Sequence, residues 1–538
     1  MALKYTEEQL NSLGRETLIR LFLSQQEQFE NIDHTLQLVL EQMADLKRHR
    51  FGRSTEKHEI EDQISFMEVD GKVVFFNESE AVAAEENALE EPEGVSRTKP
   101  KKKQGKREED LEGLPVVVVE HSMTDEELED KFGKDGWKQL PDEVYRRYSF
   151  TPAKVEVEEH HVKVYAGKKT EEIVKAEHPE CLLRGSLVSP SLEAAVMNAK
   201  YVNAVPLYRQ EQEFERYGLH ISRQNMANWT IQCADRYLAV LYDYLHEKLY
   251  SYHVLQADET PVLVNKDGRP AGSKSYMWVY RTGRMYTERQ IVLYEYQKTR
   301  NASHPREFLK DFNGVCVTDG YQVYHTIEGE REDLRTAGCW SHARRRFDEA
   351  VKALPKQKDS RAYLALTMIQ AIYREEKQLK DLPAGERRNR RQLSVKPMVE
   401  AYFTWVRENL PKVPQKSKTW EGFNYSLNQE KYLKVFLDDG EVPMDNNAAE
   451  QSIRGFCIGK KNWVMIDTIA GAKSSAIIYS IAETAKANNL KPYDYFEYLL
   501  TEIPKHLDDT DRSFLDDLLP WSPSLPENCR KPGKNEVK

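Results

Sequence analysis

Three carboxylates occupy positions from which they could bind a divalent cation. Asp258 lies inside the apolar run 253–262, Asp319 ends the apolar run that begins at Gly314, and Glu450 falls in the first turn of a predicted helix. Mg²⁺ prefers carboxylate oxygens, and divalent cations activate water and stabilise a leaving oxygen during phosphodiester cleavage. Two aspartates and one glutamate would therefore be a sufficient ligand set, and this chemistry requires no Ser, Cys or His nucleophile.

Each of these acids also has a structural explanation. Asp258 could be an ordinary acid of an edge strand, and Asp319-Gly320 is a common turn dipeptide. Asn447 and Glu450 have the spacing of a capping box, in which Asn447 would cap the helix. Taken one at a time, the structural explanations are favoured. The acid inside an apolar strand is the hardest to explain in this way, because burying a charge without a partner or a metal is costly.

Changes in hydrophobic periodicity predict the elements that would carry the first two acids. We expect three strands, a short helix and a fourth strand over 253–262, 275–281, 290–296, 305–311 and 314–319. This order is the beginning of an RNase H-like α/β fold. In that fold an acid on the first strand and an acid at the end of the fourth lie side by side, so Asp258 and Asp319 are expected to be neighbours.

A helix-turn-helix pattern precedes these strands. A helix over 207–216 is predicted to stop before Gly218, and Ser222 is predicted to cap a second helix. Near its start the second helix carries three side chains suited to base edges, which are Arg223, Gln224 and Asn225. The pattern indicates DNA binding, although helical hairpins that do not touch DNA have the same appearance.

The first 50 residues predict one long helix with a heptad stripe. Its members alternate spacings of four and three, and only Gln25 is polar: Leu18, Phe22, Gln25, Phe29, Ile32, Leu36, Val39, Met43 and Leu46. A stripe of this kind needs a partner helix, so we predict a coiled coil that joins copies of the chain. An amphipathic helix packed on its own domain is the alternative.

Charge is distributed unevenly along the 538 residues. The chain has 78 Lys and Arg against 88 Asp and Glu, a net charge of −10, which by itself disfavours a nucleic-acid partner. Residues 108–180 alone carry 20 acids against 10 bases, whereas 331–400 carry 17 bases against 10 acids. The basic run 97–107 is either a solvated tail or a non-specific phosphate contact. The net charge therefore does not exclude DNA.

Membrane and secretory proteins are disfavoured. No run of 18 apolar residues is present, and the N-terminus lacks the apolar core of a signal peptide. Six cysteines are scattered without a Cys-x-x-Cys pair, which is typical of a reducing compartment. We expect a cytoplasmic protein without membrane contact.

Seven short motifs together resemble those of the IS66 insertion-sequence family of DDE transposases. They are FGRSTEK (51–57), ADET (257–260), TDGY (318–321), GCWSHARR (338–345), DNNAAE (445–450), GKKNW (459–463) and ETAK (483–486). Each motif is weak alone, but they occur in this order, and the resemblance extends from the coiled coil to about residue 505.

The resemblance implies a function and a set of site residues. Asp258, Asp319 and Glu450 would be the catalytic triad of an RNase H-like domain. They would hold two divalent ions, Mg²⁺ or Mn²⁺. The enzyme would cleave the DNA ends of its element and join the 3′-hydroxyl ends to target DNA by strand transfer. It would be bacterial and associated with the nucleoid, and small accessory proteins of the element would be candidate partners.

Four further basic residues are candidates for DNA phosphate contacts. Lys460 and Lys461 follow Glu450 by ten and eleven positions, although exposed loop lysines are nearly as good an explanation. Arg344 and Arg345 belong to the run 344–346. At least one of its arginines is expected to face DNA, but not all three, because helical phase puts them on different faces.

The expected architecture is multidomain α+β. The N-terminal part is predicted to contain a coiled coil (1–50), a linker with the basic run (51–112) and an acidic β-rich module (113–180). A helical helix-turn-helix region (181–250) follows. An RNase H-like catalytic domain (251–465), with a mostly helical insertion at about 342–440, precedes a C-terminal helical region and tail (466–538). Many family members carry a zinc-ribbon-like cysteine module where this chain has 113–180, which contains no cysteine, so no zinc is expected. Another RNase H-fold nuclease, such as a junction resolvase, and a catalytically inactive DNA-binding derivative are the alternative functions.

Overall fold

The computed structural model describes residues 181–270, 272–353 and 360–532, and before them the stretches 14–20, 22–23, 26, 66–69, 72–76, 81–84, 124–133, 154–166 and 173–176. The fold is mixed α+β, as predicted. Two compact units divide the chain: one contains 1–96 and 238–488, and the other contains 97–237 and 489–538. The predicted C-terminal region 466–538 is thus divided between the units.

The strands of the described residues are, in chain order, β1 Phe66–Val69, β2 Lys72–Phe76, β3 Ala81–Ala84, β4 Val164–Ala166, β5 Ile173–Lys175, β6 Val254–Lys266, β7 Lys274–Thr282, β8 Val292–Gln297, β9 Gly314–Val317, β10 Leu334–Ala337 and β11 Ile466–Thr468.

The α-helices are α1 Asp125–Phe132, α2 Pro190–Met197, α3 Leu207–Arg216, α4 Arg223–Cys233, α5 Ala239–Leu249, α6 Ser303–Phe308, α7 Gln322–Glu330, α8 Trp340–Ala353, α9 Arg361–Gln378, α10 Ala384–Arg390, α11 Lys396–Asn409, α12 Lys418–Asn428, α13 Glu430–Leu433, α14 Val435–Asp438, α15 Asn447–Trp463, α16 Ile469–Ala487, α17 Pro492–Glu502 and α18 Phe514–Leu518.

The main sheet has the strand order β10-β9-β6-β7-β8, and β11 pairs with the far end of β6. β6, β7 and β8 are antiparallel neighbours, whereas β9 and β10 run parallel to β6. The four strands predicted between residues 253 and 319 correspond to β6, β7, β8 and β9. Strand β6 lies between β7 and β9, so a side chain at its centre is positioned by neighbours on both sides.

The outer edge of the sheet at β8 is covered by α16. Thr484 on this helix accepts a hydrogen bond from the Val292 amide at 3.0 Å and donates one to the Val292 carbonyl at 3.0 Å. The hydroxyl of Ser480 accepts from the Tyr294 amide at 2.7 Å. Hydroxyl side chains therefore satisfy backbone groups that an exposed edge strand would leave unpaired.

Helices α8 to α14 follow β10, and all of them except α10 contribute to one apolar core. Its largest buried members are Trp340, Phe347, Tyr402 and Phe403. The Trp340 indole donates a hydrogen bond to the Leu433 carbonyl at 2.8 Å, which fixes the start of α8 against α13. The start of α8 is consequently held rigidly at the end of β10.

In the other unit, α2 packs against α4 and α17, and α3 packs against α4. The carboxyl of Glu193 is fully buried between α2 and α4, where it accepts a hydrogen bond from the Thr230 hydroxyl at 2.8 Å. Gln210 of α3 is also buried, and its amide donates to the Val205 carbonyl at 3.0 Å. Polar side chains thus hold the hairpin in place.

The segments before residue 181 are described only in part. Most of the heptad stripe and the basic run lie outside the described residues, but residues 15–20 are helical and Leu18 is exposed. The acidic segment contains α1 and a short hairpin of β4 and β5, whereas 154–163, where alternation predicted a strand, have no regular secondary structure. Among all described residues, no helix has the length and apolarity needed to cross a membrane.

Candidate functional site

The register of two parallel strands brings Asp258 and Asp319 to the same level. Gln256 on β6 is aligned with Val317 on β9, and each aspartate stands two residues further along its chain. Neighbouring strands are about 4.8 Å apart, so the two aspartates end up side by side where the strands stop pairing. Asp258 accepts a hydrogen bond from the Glu259 amide at 2.8 Å, and Asp319 accepts one from the Tyr321 amide at 2.9 Å.

The electrostatic surroundings of this pair are acidic. Burial, followed by the charges of Glu259, Asp319 and Glu450, raises the pKa of Asp258 well above its usual range. In the described part of the chain, neither Asp258 nor Asp319 has a cationic side chain within ion-pair distance. Carboxylates gathered without a compensating cation are the donor set that a hard divalent ion neutralises.

A neighbouring acid, Glu259, is held by an arginine. Its side chain is buried and forms an ion pair with Arg300, whose guanidinium lies 3.7 Å from the centre of the Tyr321 ring. Burial and the charge of Asp319 raise the pKa of Glu259 to about 7. The Tyr321 hydroxyl donates to the Arg300 carbonyl at 2.8 Å. These contacts connect the loop after Asp319 to β6, and sequence reasoning singled out neither Glu259 nor Arg300.

Glu450 lies in the first turn of α15, as the sequence predicted, and faces α8. One carboxylate oxygen accepts a hydrogen bond from Arg345 at 3.3 Å. The other oxygen is 3.6 Å from Nδ1 of His342. Since Glu450 also contributes to the raised pKa of Asp258, the three acids share one electrostatic environment.

Asn446 ties the Glu450 helix to the Asp258 strand. It is fully buried; its amide donates to the Ala257 carbonyl at 2.8 Å and accepts from the Gln256 amide at 3.2 Å. The structure also corrects the predicted cap: α15 begins at Asn447, and the residue in the cap position is Asn446, which makes no side-chain capping bond. The reason is tertiary, because the Asn446 side chain is engaged with β6.

Cys339 and His342 lie next to Glu450, and their sulfur and nitrogen atoms are softer metal ligands than carboxylate oxygens. The Cys339 sulfur, a ring nitrogen of His342 and a Glu450 oxygen all lie within 4.8 Å of one another. Burial raises the pKa of the Cys339 thiol, and burial lowers the pKa of His342. Sequence reasoning left both residues unassigned. The signal that could have found them is the Cys-x-x-His spacing at the start of a predicted helix.

The side chains predicted to read bases are exposed on α4. Ser222 caps this helix, as predicted, by accepting a hydrogen bond from the Asn225 amide at 3.2 Å. Arg223, Gln224 and Asn225 are all exposed in the first turn. The Arg223 guanidinium lies 5.5 Å from the centre of the Tyr208 ring on α3, which restricts its direction.

The other basic candidates occupy different environments. Arg344 is exposed and lies over the Tyr373 ring at 6.0 Å, whereas Arg345 is engaged with Glu450. Lys461 is exposed, and the ammonium of Lys460 donates to the Pro261 carbonyl at 2.9 Å. The structure therefore brings Arg345 to the acids and leaves Arg344 and Lys461 facing solvent.

Comparison with protein families identifies three matching segments. Residues 185–474 match the model described as "Transposase IS66 family", residues 480–521 match "IS66 C-terminal element", and residues 39–119 match "Transposase C of IS166 homeodomain". The first segment contains all three candidate acids.

Two similar proteins come from Sinorhizobium fredii (strain NBRC 101917 / NGR234). "Uncharacterized protein y4qI" is 30% identical over 367 residues, which are 66% of this chain and 67% of that protein. "Uncharacterized protein y4jD" is 27% identical over 358 residues, which are 65% and 69% of the two chains. Among solved structures, "Mos1 transposase paired-end complex with left transposon end" is 13% identical and covers 51% of this chain and 84% of that one, with a TM-score of 0.13. A likeness this weak carries no argument.

Proposed function

The chain belongs to the IS66 family of transposases, and on this basis we propose that it cleaves the DNA ends of its element and joins the freed 3′-hydroxyl ends to target DNA. Asp258, Asp319 and Glu450 are the acids proposed to carry this reaction. The observation that supports the proposal is the alignment of Gln256 on β6 with Val317, the last residue of β9. Asp258 and Asp319 each follow these aligned residues by two positions.

The donor set fits a hard divalent cation. Carboxylate oxygens are available from strand β6, from the loop after β9 and from helix α15, and the pKa of Asp258 is raised by burial and by the other acids. When bound there, Mg²⁺ or Mn²⁺ would supply activation of the attacking hydroxyl and charge neutralisation at the phosphate. We propose Asp258, Asp319 and Glu450 as its ligands.

The remaining residues are proposed to position the acids. Arg345 directs one oxygen of Glu450, and Asn446 holds the helix that carries Glu450 against β6. Arg300 neutralises Glu259, so that this fourth acid does not add a full charge beside the aspartates. Rigid placement of this kind lowers the barrier by presenting reacting groups in a near-attack arrangement.

We further propose an RNase H-like catalytic domain. Three antiparallel strands followed by two parallel ones, in the order β8-β7-β6-β9-β10, support this assignment. The helices α8 to α14 would be its insertion between the second and third acids. DNA contact is proposed for the exposed start of α4 and for Arg344 and Lys461, with the weaker candidates Arg345 and Lys460 already engaged within the protein.

The substitution Asp319→Asn tests the proposed triad. It keeps the size of the side chain and an oxygen that can accept from the Tyr321 amide, so the variant is expected to fold normally. Mg²⁺-dependent cleavage of element-end DNA is expected to fall below detection, measured on labelled oligonucleotides. Asp467→Asn, at an exposed acid paired with Lys266, is the matched control and should keep full activity. Wild-type activity in Asp319→Asn would exclude the assignment.

The product of the reaction separates the alternative functions. A transposase joins the 3′-hydroxyl of the element end to a second DNA, whereas a resolvase releases nicked or cut DNA only. An inactive derivative binds end DNA with no metal-dependent product. Supplying a labelled pre-cut end and a plasmid target therefore distinguishes the three, because only strand transfer attaches the label to the plasmid.

A further inference from the structure

The Cys339–His342–Glu450 cluster joins ligands from two helices that are far apart in the chain. Cys339 directly precedes α8, His342 is in the first turn of α8, and Glu450 is in the first turn of α15. Their three donor atoms lie within 4.8 Å of one another. Helix starts fixed by buried contacts, such as the indole bond of Trp340 to Leu433, give the donors a rigid frame.

Two of the donor atoms are buried and have no hydrogen-bond partner in the described chain. They are Nδ1 of His342 and Oε1 of Glu450, and they are 3.6 Å apart. If Nδ1 carries a proton, this distance is too long for a hydrogen bond. If it carries a lone pair, two acceptors face each other. A cation between them would satisfy both atoms, while Arg345 satisfies the other oxygen of Glu450.

The Cys339 sulfur is arranged as a metal-bound sulfur often is. It is fully buried and accepts a hydrogen bond from the Asn446 amide at 3.2 Å. A cation that binds the sulfur displaces its proton, and amide donors of this kind orient a thiolate ligand. Thiolate and imidazole favour Zn²⁺ over Mg²⁺, which takes oxygen ligands.

We propose that Cys339, His342 and Glu450 form a site for Zn²⁺, with three protein ligands and one open position. This site is separate from the acidic module 113–180, for which the absence of cysteine predicted no zinc. It shares Glu450 with the proposed Mg²⁺ ligands, so Zn²⁺ and Mg²⁺ compete for one carboxylate. The proposal that Zn²⁺ binds depends only on the geometry of the cluster. The expectation that Zn²⁺ inhibits Mg²⁺-dependent cleavage rests on the proposed function.

Cobalt spectroscopy on the full chain tests the site without requiring activity. Co²⁺ replaces Zn²⁺ and gives a near-ultraviolet charge-transfer band only when a thiolate binds it. We expect the band in the wild type and in Cys181→Ser, which removes an exposed cysteine, and its loss in Cys339→Ser. The serine hydroxyl can still accept from the Asn446 amide, so this variant should retain the fold. His342→Gln is expected to weaken Zn²⁺ binding at least about tenfold.

Three results would overturn the proposal: no band in the wild type, a band that persists in Cys339→Ser, or an equal loss in Cys181→Ser. Should Cys339→Ser unfold, unchanged Zn²⁺ affinity in His342→Gln would have the same meaning. In cleavage assays with Mg²⁺, Zn²⁺ is expected to inhibit the wild type and to inhibit Cys339→Ser about tenfold less. A wild type that never cleaves end DNA would refute the proposed function, whereas the cobalt spectrum would still decide the zinc site.

Discussion

At the scale of single residues, Asn446 links the strand that carries Asp258 to the helix that carries Glu450. It contacts the Ala257 carbonyl next to Asp258, accepts from Gln256, and its backbone amide reaches Cys339. Through its side-chain and backbone amides, this one buried residue connects β6, the residue before α8 and the start of α15. A shift of about 1 Å in the helix start would move Glu450 relative to the aspartates, and displacements of that size are costly in catalysis.

The substitution Asn446→Asp removes the amide donor and leaves the Ala257 carbonyl unpaired. We expect a loss of about 1–3 kcal/mol in the free energy of unfolding. We also expect a higher Mg²⁺ concentration for half-maximal cleavage, because Glu450 is displaced, with little change in affinity for end DNA. Asn447→Ala is the neighbouring control and should behave as the wild type. A lower stability with an unchanged Mg²⁺ requirement would show that Asn446 stabilises the fold but does not position Glu450.

Glu193 provides a second residue-scale prediction, which concerns pH. Burial raises its pKa from 4.5 to about 8. Between these values the unfolded chain has released the proton and the folded chain has kept it, so stability falls as pH rises, by up to about 1.4 kcal/mol per unit. Below 4.5 both states are protonated, and above about 8 the loss is complete.

Glu193→Gln keeps a neutral side chain and removes this titration. The variant is expected to be more stable than the wild type at pH 8 and to differ little at pH 4.5, measured by thermal unfolding. Glu215→Gln, at an exposed glutamate of α3, should show no such trend. A difference between Glu193→Gln and the wild type that is independent of pH would contradict the prediction.

At the scale of elements, α4 is arranged to present its first turn. The double substitution Arg223→Ala with Gln224→Ala is expected to weaken binding to end DNA by about fivefold to a hundredfold, and binding to random DNA by much less. The Ser222 cap is retained, so the helix should remain intact. Fluorescence anisotropy at a fixed salt concentration measures both affinities.

The matched control lies on the preceding helix. Gln212→Ala with Arg216→Ala removes the same residue types from exposed positions of α3. This variant should keep the preference for end DNA. Equal losses on both DNAs in the α4 variant would indicate phosphate contact alone, and the first turn of α4 would then not read bases.

The elements were predictable wherever the cause is local. The period of β6 to β9, the cap at Ser222 and the stop before Gly218 all follow from neighbouring residues. The cap of α15 was placed one residue too late, since Asn446 rather than Asn447 occupies that position, and its role depends on the Ala257 carbonyl 189 positions away. Cys339 and His342 could not be assigned from the sequence for the same reason, because their partner Glu450 is on a distant helix. The identification of the family from its motifs is confirmed.

At the scale of the whole molecule, the basic excess of 331–400 is only partly available to DNA. Arg387 and Arg391 are buried and donate to main-chain carbonyls, among them those of Gly440 and Phe436. Arg345 is engaged with Glu450. The charge pattern therefore overstates the phosphate-binding surface, since a guanidinium is also a good donor for the carbonyls at helix ends.

Self-association is the whole-molecule prediction. Among the described N-terminal residues, Leu18 and Phe22 are helical, and 37% and 67% of their respective surfaces are exposed. A partner helix would cover such side chains. Removing residues 1–50 is expected to shift the mass in light scattering toward that of a monomer. A control variant, Lys4→Ala, lies outside the stripe and should keep the mass of the wild type; an unchanged mass after the deletion would refute the coiled coil.

The hydrogen bond between Asn446 and the Ala257 carbonyl of β6 joins residues that the ribosome adds at very different times. Asp258 and Glu450 are 192 positions apart, and ribosomes add about 5–20 residues per second, so on the order of ten to forty seconds separate their appearance. Throughout that interval the nascent chain already contains α4 but lacks Glu450, the third proposed acid, and Asn446, which holds the Glu450 helix against β6. A chain truncated before residue 446 would accordingly keep the proposed DNA-binding helix and lack the third proposed acid, so we expect it to compete for element ends without cutting them.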